Sequence, residues 1–172
     1  MLPKILKNFN AFVDGKGFAG RVEEIQLPKL TIKTEEFRAG GMDIPVQVDL
    51  GMEKMEAEIT FAEYDAELFR LFGITENNTS SGNSGISFTL RGGMQSIGEA
   101  ESVVVNLRGI IKELDAGSWK AGDKSTLKCI IAAHYYKLTI DNRELIEIDA
   151  ENMIRKINGT DQLASVRFAI GI

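Results

Sequence analysis

Two-residue alternation between glycine breaks constrains this chain more than any other feature. Over residues 46–50, Val46, Val48 and Leu50 alternate with Gln47 and Asp49. Over residues 55–61, Met55, Ala57, Ile59 and Phe61 alternate with Glu56, Glu58 and Thr60, with Lys54 just ahead. Successive side chains of a strand point to opposite faces, so both segments fit strands with one apolar and one wet face. Residues 38–61 therefore predict an acidic two-faced hairpin. Its apolar row (Val46, Val48, Leu50, Met55, Ala57, Ile59, Phe61) should face the core. Its polar row (Gln47, Asp49, Lys54, Glu56, Glu58) should face water.

The rest of the chain follows the same rule. Strands are expected over 9–14, 21–27, 30–34, 86–90, 100–114 and 126–141, and over 143–148 after a turn at Asp141 and Asn142. One segment changes period. Residues 64–72 carry Leu68, Leu71 and Phe72 at helical spacing, Asp65 and Glu67 early and Gly73 beyond the end, which predicts a short helix. Residues 75–85 are small, polar and aperiodic, so an exposed mobile loop is expected. Near the C-terminus, Met153, Ile154 and Ile157 suit a helical turn, whereas 164–170 alternates like an edge strand. The expected fold is mainly β: an antiparallel sandwich or barrel with one short flanking helix, in a single domain spanning 1–172.

Several function classes lose ground on composition. The net charge of −5 argues against a general nucleic-acid binder. The single cysteine, Cys129, allows no internal disulfide, which suits a reducing compartment. Neither a signal peptide nor a membrane anchor is expected. Gly15, Gly17 and Gly20 match the spacing of a dinucleotide fingerprint, but only seven residues separate Gly20 from Pro28. That leaves no room for the required crossover helix, so a hairpin turn is the better reading. His134 is the only histidine, too little for a triad or a multi-histidine metal site. Glu56 and Glu58 form a carboxylate pair with no neighbouring motif to supply a substrate pocket. Neither catalysis nor a cofactor is expected.

The residues together resemble a known family, the major tail tube proteins of contractile-tailed bacteriophages, with the tube proteins of R-type pyocins as close relatives. The likeness runs from the opening Met1, Leu2, Pro3 and Lys4 through Phe12, Val13, Asp14 and Gly15. It is most specific from Leu27 and Pro28 to Arg38, Gly40, Gly41, Met42, Asp43 and Pro45. Gly51, Met52, Phe72, Gly73 and the run Asn158, Gly159, Thr160 and Asp161 extend it.

The resemblance implies a virion protein, assembled in the host cytoplasm, whose hexameric rings stack into a hollow tube inside a contractile sheath. Sheath, baseplate and tail terminator proteins are its implied partners, and DNA passes along the lumen without specific binding. A pyocin-like device carrying no DNA is the alternative. Four strands from each of six subunits would give a closed barrel of about 24 strands. Its backbone diameter would be roughly 48 Å, wide enough for a duplex. On this basis Gln47, Asp49, Lys54, Glu56 and Glu58 are expected to line the lumen. Arg38, Gly40, Gly41, Met42, Asp43 and Pro45 are expected to form an inter-subunit contact.

Overall fold

The computed structural model describes residues 2–73 and 85–172. The strands are β1 (Ile5–Val13), β2 (Lys16–Gly17), β3 (Val22–Gln26), β4 (Ile32–Phe37), β5 (Val46–Met52) and β6 (Met55–Phe61), followed by β7 (Ile86–Gln95), β8 (Glu101–Asp115), β9 (Leu127–Ile140), β10 (Arg143–Asp149), β11 (Ile154–Ile157) and β12 (Thr160–Asp161). Two short helices, α1 (Ala66–Arg70) and α2 (Ala164–Ile170), complete the described elements. The segment expected to be a loop at 75–85 lies outside the described residues, apart from Gly85.

A ten-stranded antiparallel sheet forms the body. Its order is β12-β11-β10-β9-β8-β7-β1-β2, with β3 and β6 joined to β9 as a branch. The branch follows from strand length. β8 covers one whole edge of β9, while the other edge is shared, with Met55–Phe61 paired to 127–133 and β10 paired to 135–140. β6 and β10 therefore part company near His134. β9 carries an extra residue, His134, opposite the Arg108–Gly109 step of β8, and β8 carries one, Lys112, between Ile111 and Glu113. Each bulge bends its strand, and the sheet curls around its apolar side.

Alternation explains what lies inside the curl. Met55, Ala57, Ile59 and Phe61 of β6 are buried, as are Phe88 and Leu90 of β7, Leu107 and Ile111 of β8, and Cys129 and Ile131 of β9. Leu68 of α1 closes one end of this core. Asp65 caps α1 by accepting from the Glu67 amide at 2.9 Å and pairs with Lys16 at 2.8 Å, which ties the helix to the β1–β2 hairpin. Phe18 packs edge-on against Phe61 with ring centroids 5.1 Å apart. The fingerprint glycines belong to a hairpin: Asp14 and Gly15, both with positive φ, join β1 to β2, Gly17 pairs with Phe12 within β2, and no crossover helix follows Gly20.

Three expectations are corrected. First, 38–61 is not a hairpin. β5 pairs with β4 as a separate two-stranded sheet, whereas β6 pairs with β3 and β9. Alternation sets which way side chains point but not which edge a strand pairs with. Gly51 adopts φ +102°, its amide bonds the Asp49 carboxylate, and the Glu53 amide reaches back to the Thr31 carbonyl at 2.9 Å. These contacts extend the β4–β5 ladder and carry the chain onward into the body instead of turning it back.

Second, Val46, Val48 and Leu50 are not core residues. They are 45%, 45% and 52% exposed, and among the described residues no second layer covers the β4–β5 arm.

Third, the C-terminal assignments are reversed, and the described residues hold two helices where one was expected. Residues 154–157 pair with β10, and Asn158 and Gly159, with φ of 48° and 81°, make a tight turn that pairs Lys156 and Ile157 with β12, which explains the strand there. Residues 164–170 are helical, ended by the left-handed Gly171.

Candidate functional site: a charged sheet face and an apolar arm

The outward face of β6 carries Glu56, Glu58 and Thr60. Antiparallel register sets Glu56 opposite Ala132, Glu58 opposite Ile130 and Thr60 opposite Lys128 of β9. Lysines from neighbouring strands meet the acidic row. Glu56 pairs with Lys112 of β8 and with Lys54 at 3.2 Å, and Glu58 pairs with Lys128 at 3.4 Å. Hydrogen bonds from Lys112, then from Lys54, hold the Glu56 carboxyl below its ordinary range. The face is thus a ladder of paired charges, three lysines on two glutamates. Lys112 and Lys128 were missed in the sequence because they lie 56 and 70 residues from their partners, and only sheet register brings them together.

The arm is the second surface. Cross-strand partners share a face, so Phe37 with Val46 and Glu35 with Val48 lie on one side. Glu36 with Gln47 and Thr34 with Asp49 lie on the other. On that second side the Arg155 guanidinium donates to Asp49 at 2.6 Å. This contact, helped by the Gly51 amide, lowers the Asp49 carboxyl pKa. Arg155 is itself buried, which makes it an anchor within β11. Its role left no trace in local sequence pattern.

The expected site residues therefore separate. Glu56, Glu58 and Lys54 share the β6 face. Gln47 and Asp49 sit on the arm, in the other sheet, with Asp49 turned toward β11. Arg38, Gly40, Gly41, Met42, Asp43 and Pro45 all fall in the loop at the arm's tip. All six are exposed except Met42, which is half-buried. Two reciprocal hydrogen bonds shape that loop, from the Met42 amide to the Ala39 carbonyl at 3.2 Å and from the Ala39 amide to the Met42 Sδ at 3.4 Å. Among the described residues no cluster of three or more histidine, cysteine or acidic side chains has metal-binding geometry.

The phage tail tube protein FII family matches residues 3–171. The chain belongs to this family. It is 35% identical to the tail tube protein of Escherichia phage P2, with 99% of each chain covered. It is 34% identical to the major tail tube protein of Serratia phage KSP20, over 92% of this chain and 90% of the relative. The fold is also that of a sheath/tube terminator from an extracellular contractile injection system, PVC. That structure matches with a TM-score of 0.61 at 14% identity, covering 81% of this chain and 98% of the other.

As a tail tube protein, the chain is a structural subunit of the virion tail. A tube subunit has to meet copies of itself, and the arm is the part of the monomer least finished without them. A two-stranded sheet is marginally stable in water, and strand edges left open invite pairing.

Proposed function

We propose that six copies close into a ring, that rings stack into a tube within a contractile sheath, and that the arm supplies the inter-subunit contact. The observation that carries this is the arm itself, with both outer strand edges unpaired among the described residues and an apolar face open to solvent. Head-to-tail contacts of this kind close into rings or propagate as filaments, and closure removes free edges. Arg38, Gly40, Gly41, Met42, Asp43 and Pro45 at the arm tip reach the neighbour or the adjacent ring. Sheath, baseplate and tail terminator proteins bind the finished tube, and assembly takes place in the host cytoplasm. No catalytic step belongs to this role.

The β6 face lines the lumen, with Lys54, Glu56 and Glu58 toward the channel and Gln47 and Asp49 nearby on the arm. Its paired charges support DNA passage without adhesion. Each lysine is already held by a glutamate, so a passing phosphate gains little by displacing it. The same pairing also suits a tube that carries no DNA, as in a pyocin-like device, and that is the second reading.

The purified full chain should form open tubes in negative-stain micrographs, and Gly40→Val with Gly41→Val should give folded subunits without tubes. Persistence of tubes in that variant would remove the tip from the contact. Glu56→Lys with Glu58→Lys would free Lys54, Lys112 and Lys128 and add two cations. Its tubes should assemble yet slow DNA ejection, most strongly at low salt. Ejection at the normal rate would remove β6 from the lumen.

A further inference from the structure

Among the described residues the curled sheet does not close. β1 pairs with β7 along its length and with β2 only at Phe12 and Val13, whereas β3 pairs with β6 alone. Between β1 and β3 lies an apolar cleft of about 340 Å³. Leu6 and Phe9 form one wall, Ile25 and Leu27 another, and Met94 and Val103 are part of the floor. Leu6 and Leu27 are exposed at its mouth. Glu24 and Arg91 also line it, and neither has an ion-pair partner among the described residues.

The arm presents the matching surface. Its apolar face holds Phe37, Val46 and Val48. Alternation along β4 puts Lys33 and Glu35 on that same face, and neither is ion-paired among the described residues. The two surfaces thus offer one free cation and one free anion each, Lys33 and Glu35 against Glu24 and Arg91. The arm does not fill its own cleft. Its opposite face is held to β11 through Asp49 and Arg155, at the far end of the sheet order from β1, and its apolar face points away from the body.

We infer that the cleft between β1 and β3 receives the apolar face of the β4–β5 arm of a second copy, with Lys33 set against Glu24 and Glu35 against Arg91. This rests on the reading of the arm as an inter-subunit contact and names the surface it meets. Burial of Phe37, Val46 and Val48 in the cleft removes exposed apolar area from both copies, and the charge pairs set direction and register. The contact joins two different patches, so every copy offers one arm and one cleft and the chain of contacts can continue.

The test is a cross-link in tubes assembled from the full chain. Val46→Cys combined with Leu27→Cys, treated with a short bismaleimide, should give a ladder of covalent dimers, trimers and higher species on a denaturing gel. Cys129 is buried and its thiol is pushed up to about 12, so it stays silent. Neither single variant should give a ladder. Charge exchange supplies a second arm of the test. Lys33→Glu or Glu24→Lys alone should raise the concentration needed for tube formation about tenfold, and the two together should restore it.

Intact tubes without a ladder, or cross-links confined within single chains, would overturn the cleft as the arm's receptor while leaving the arm's role in assembly standing. Tubes that survive Val46→Asp with Val48→Asp would overturn both. Failure of the charge exchange to restore assembly would overturn the assigned register.

Discussion

The guanidinium of Arg155 donates to the carboxylate of Asp49 across 2.6 Å, and that contact joins the β4–β5 arm to the edge of the main sheet. Arg155 belongs to a four-residue strand and is buried, while Asp49 lies on a two-stranded sheet with little else against it. The contact sets the arm's direction, and with it which arm face remains open.

Acid should release the arm. Arg155 depresses the folded pKa of Asp49 below its ordinary 3.8. A depressed carboxylate pKa stabilises the fold above the unfolded value, and that contribution disappears as pH falls through the folded value. The arm should stay docked at pH 5 and loosen well below pH 4. An NMR titration of the Asp49 carboxyl should show a midpoint below 3.8, moving up toward it in Arg155→Met. In that variant, hydrogen exchange across 32–52 should be faster at neutral pH. An unchanged midpoint would mean that the ion pair does not hold in solution.

Gly109 and Gly40 should respond oppositely to a methyl group. A Cβ built on Gly109 would lie 2.1 Å from the Ala132 carbonyl oxygen, at the bulge where β8 approaches β9. Backbone atoms on both sides cannot give way, so Gly109→Ala should yield little soluble protein or a sharply lowered Tm. Gly40 has open space around its Cβ direction and no positive φ, so Gly40→Ala should unfold within a degree or so of the parent. Thermal melts of both variants decide it.

Core and arm should separate stability from assembly. Leu107 is fully buried, and Leu107→Ala should cost about 2–5 kcal/mol. For a chain of this size that lowers Tm by roughly 2–4 °C per kcal/mol. Val46→Ala should change the monomer by no more than about 0.5 kcal/mol and yet weaken tube formation. Calorimetry with quantitative sedimentation would reveal any failure of this division.

Cys129 should report unfolding. Burial suppresses its thiolate by pushing the thiol up to about 12. Ellman's reagent should find almost no free thiol in the native chain at pH 8 and one per chain in denaturant. Rapid native labelling would mean that β9 opens more readily than its burial implies.

Alternation is a local property, and what depends on it was legible. The inward row Met55, Ala57, Ile59 and Phe61, the turn at Asp141 and Asn142, and the helix around Leu68 follow from neighbours in the chain. Alternation failed at 164–170, which is helical although none of its residues is buried; Arg167 ties it back, to the Met153 carbonyl and the Asp161 carboxylate.

The sequence by itself determined a mainly β chain, its strand faces and, through family likeness, a tail tube protein. Only the tertiary structure decided that β5 leaves β6 for β4, that Lys112 and Lys128 neutralise Glu56 and Glu58, and that Arg155 holds Asp49. Side-chain direction is set by the backbone over two residues. The ion pairs join residues 56 to 106 apart, and the choice of strand edge depends on which strands the fold sets side by side, so no local pattern records either.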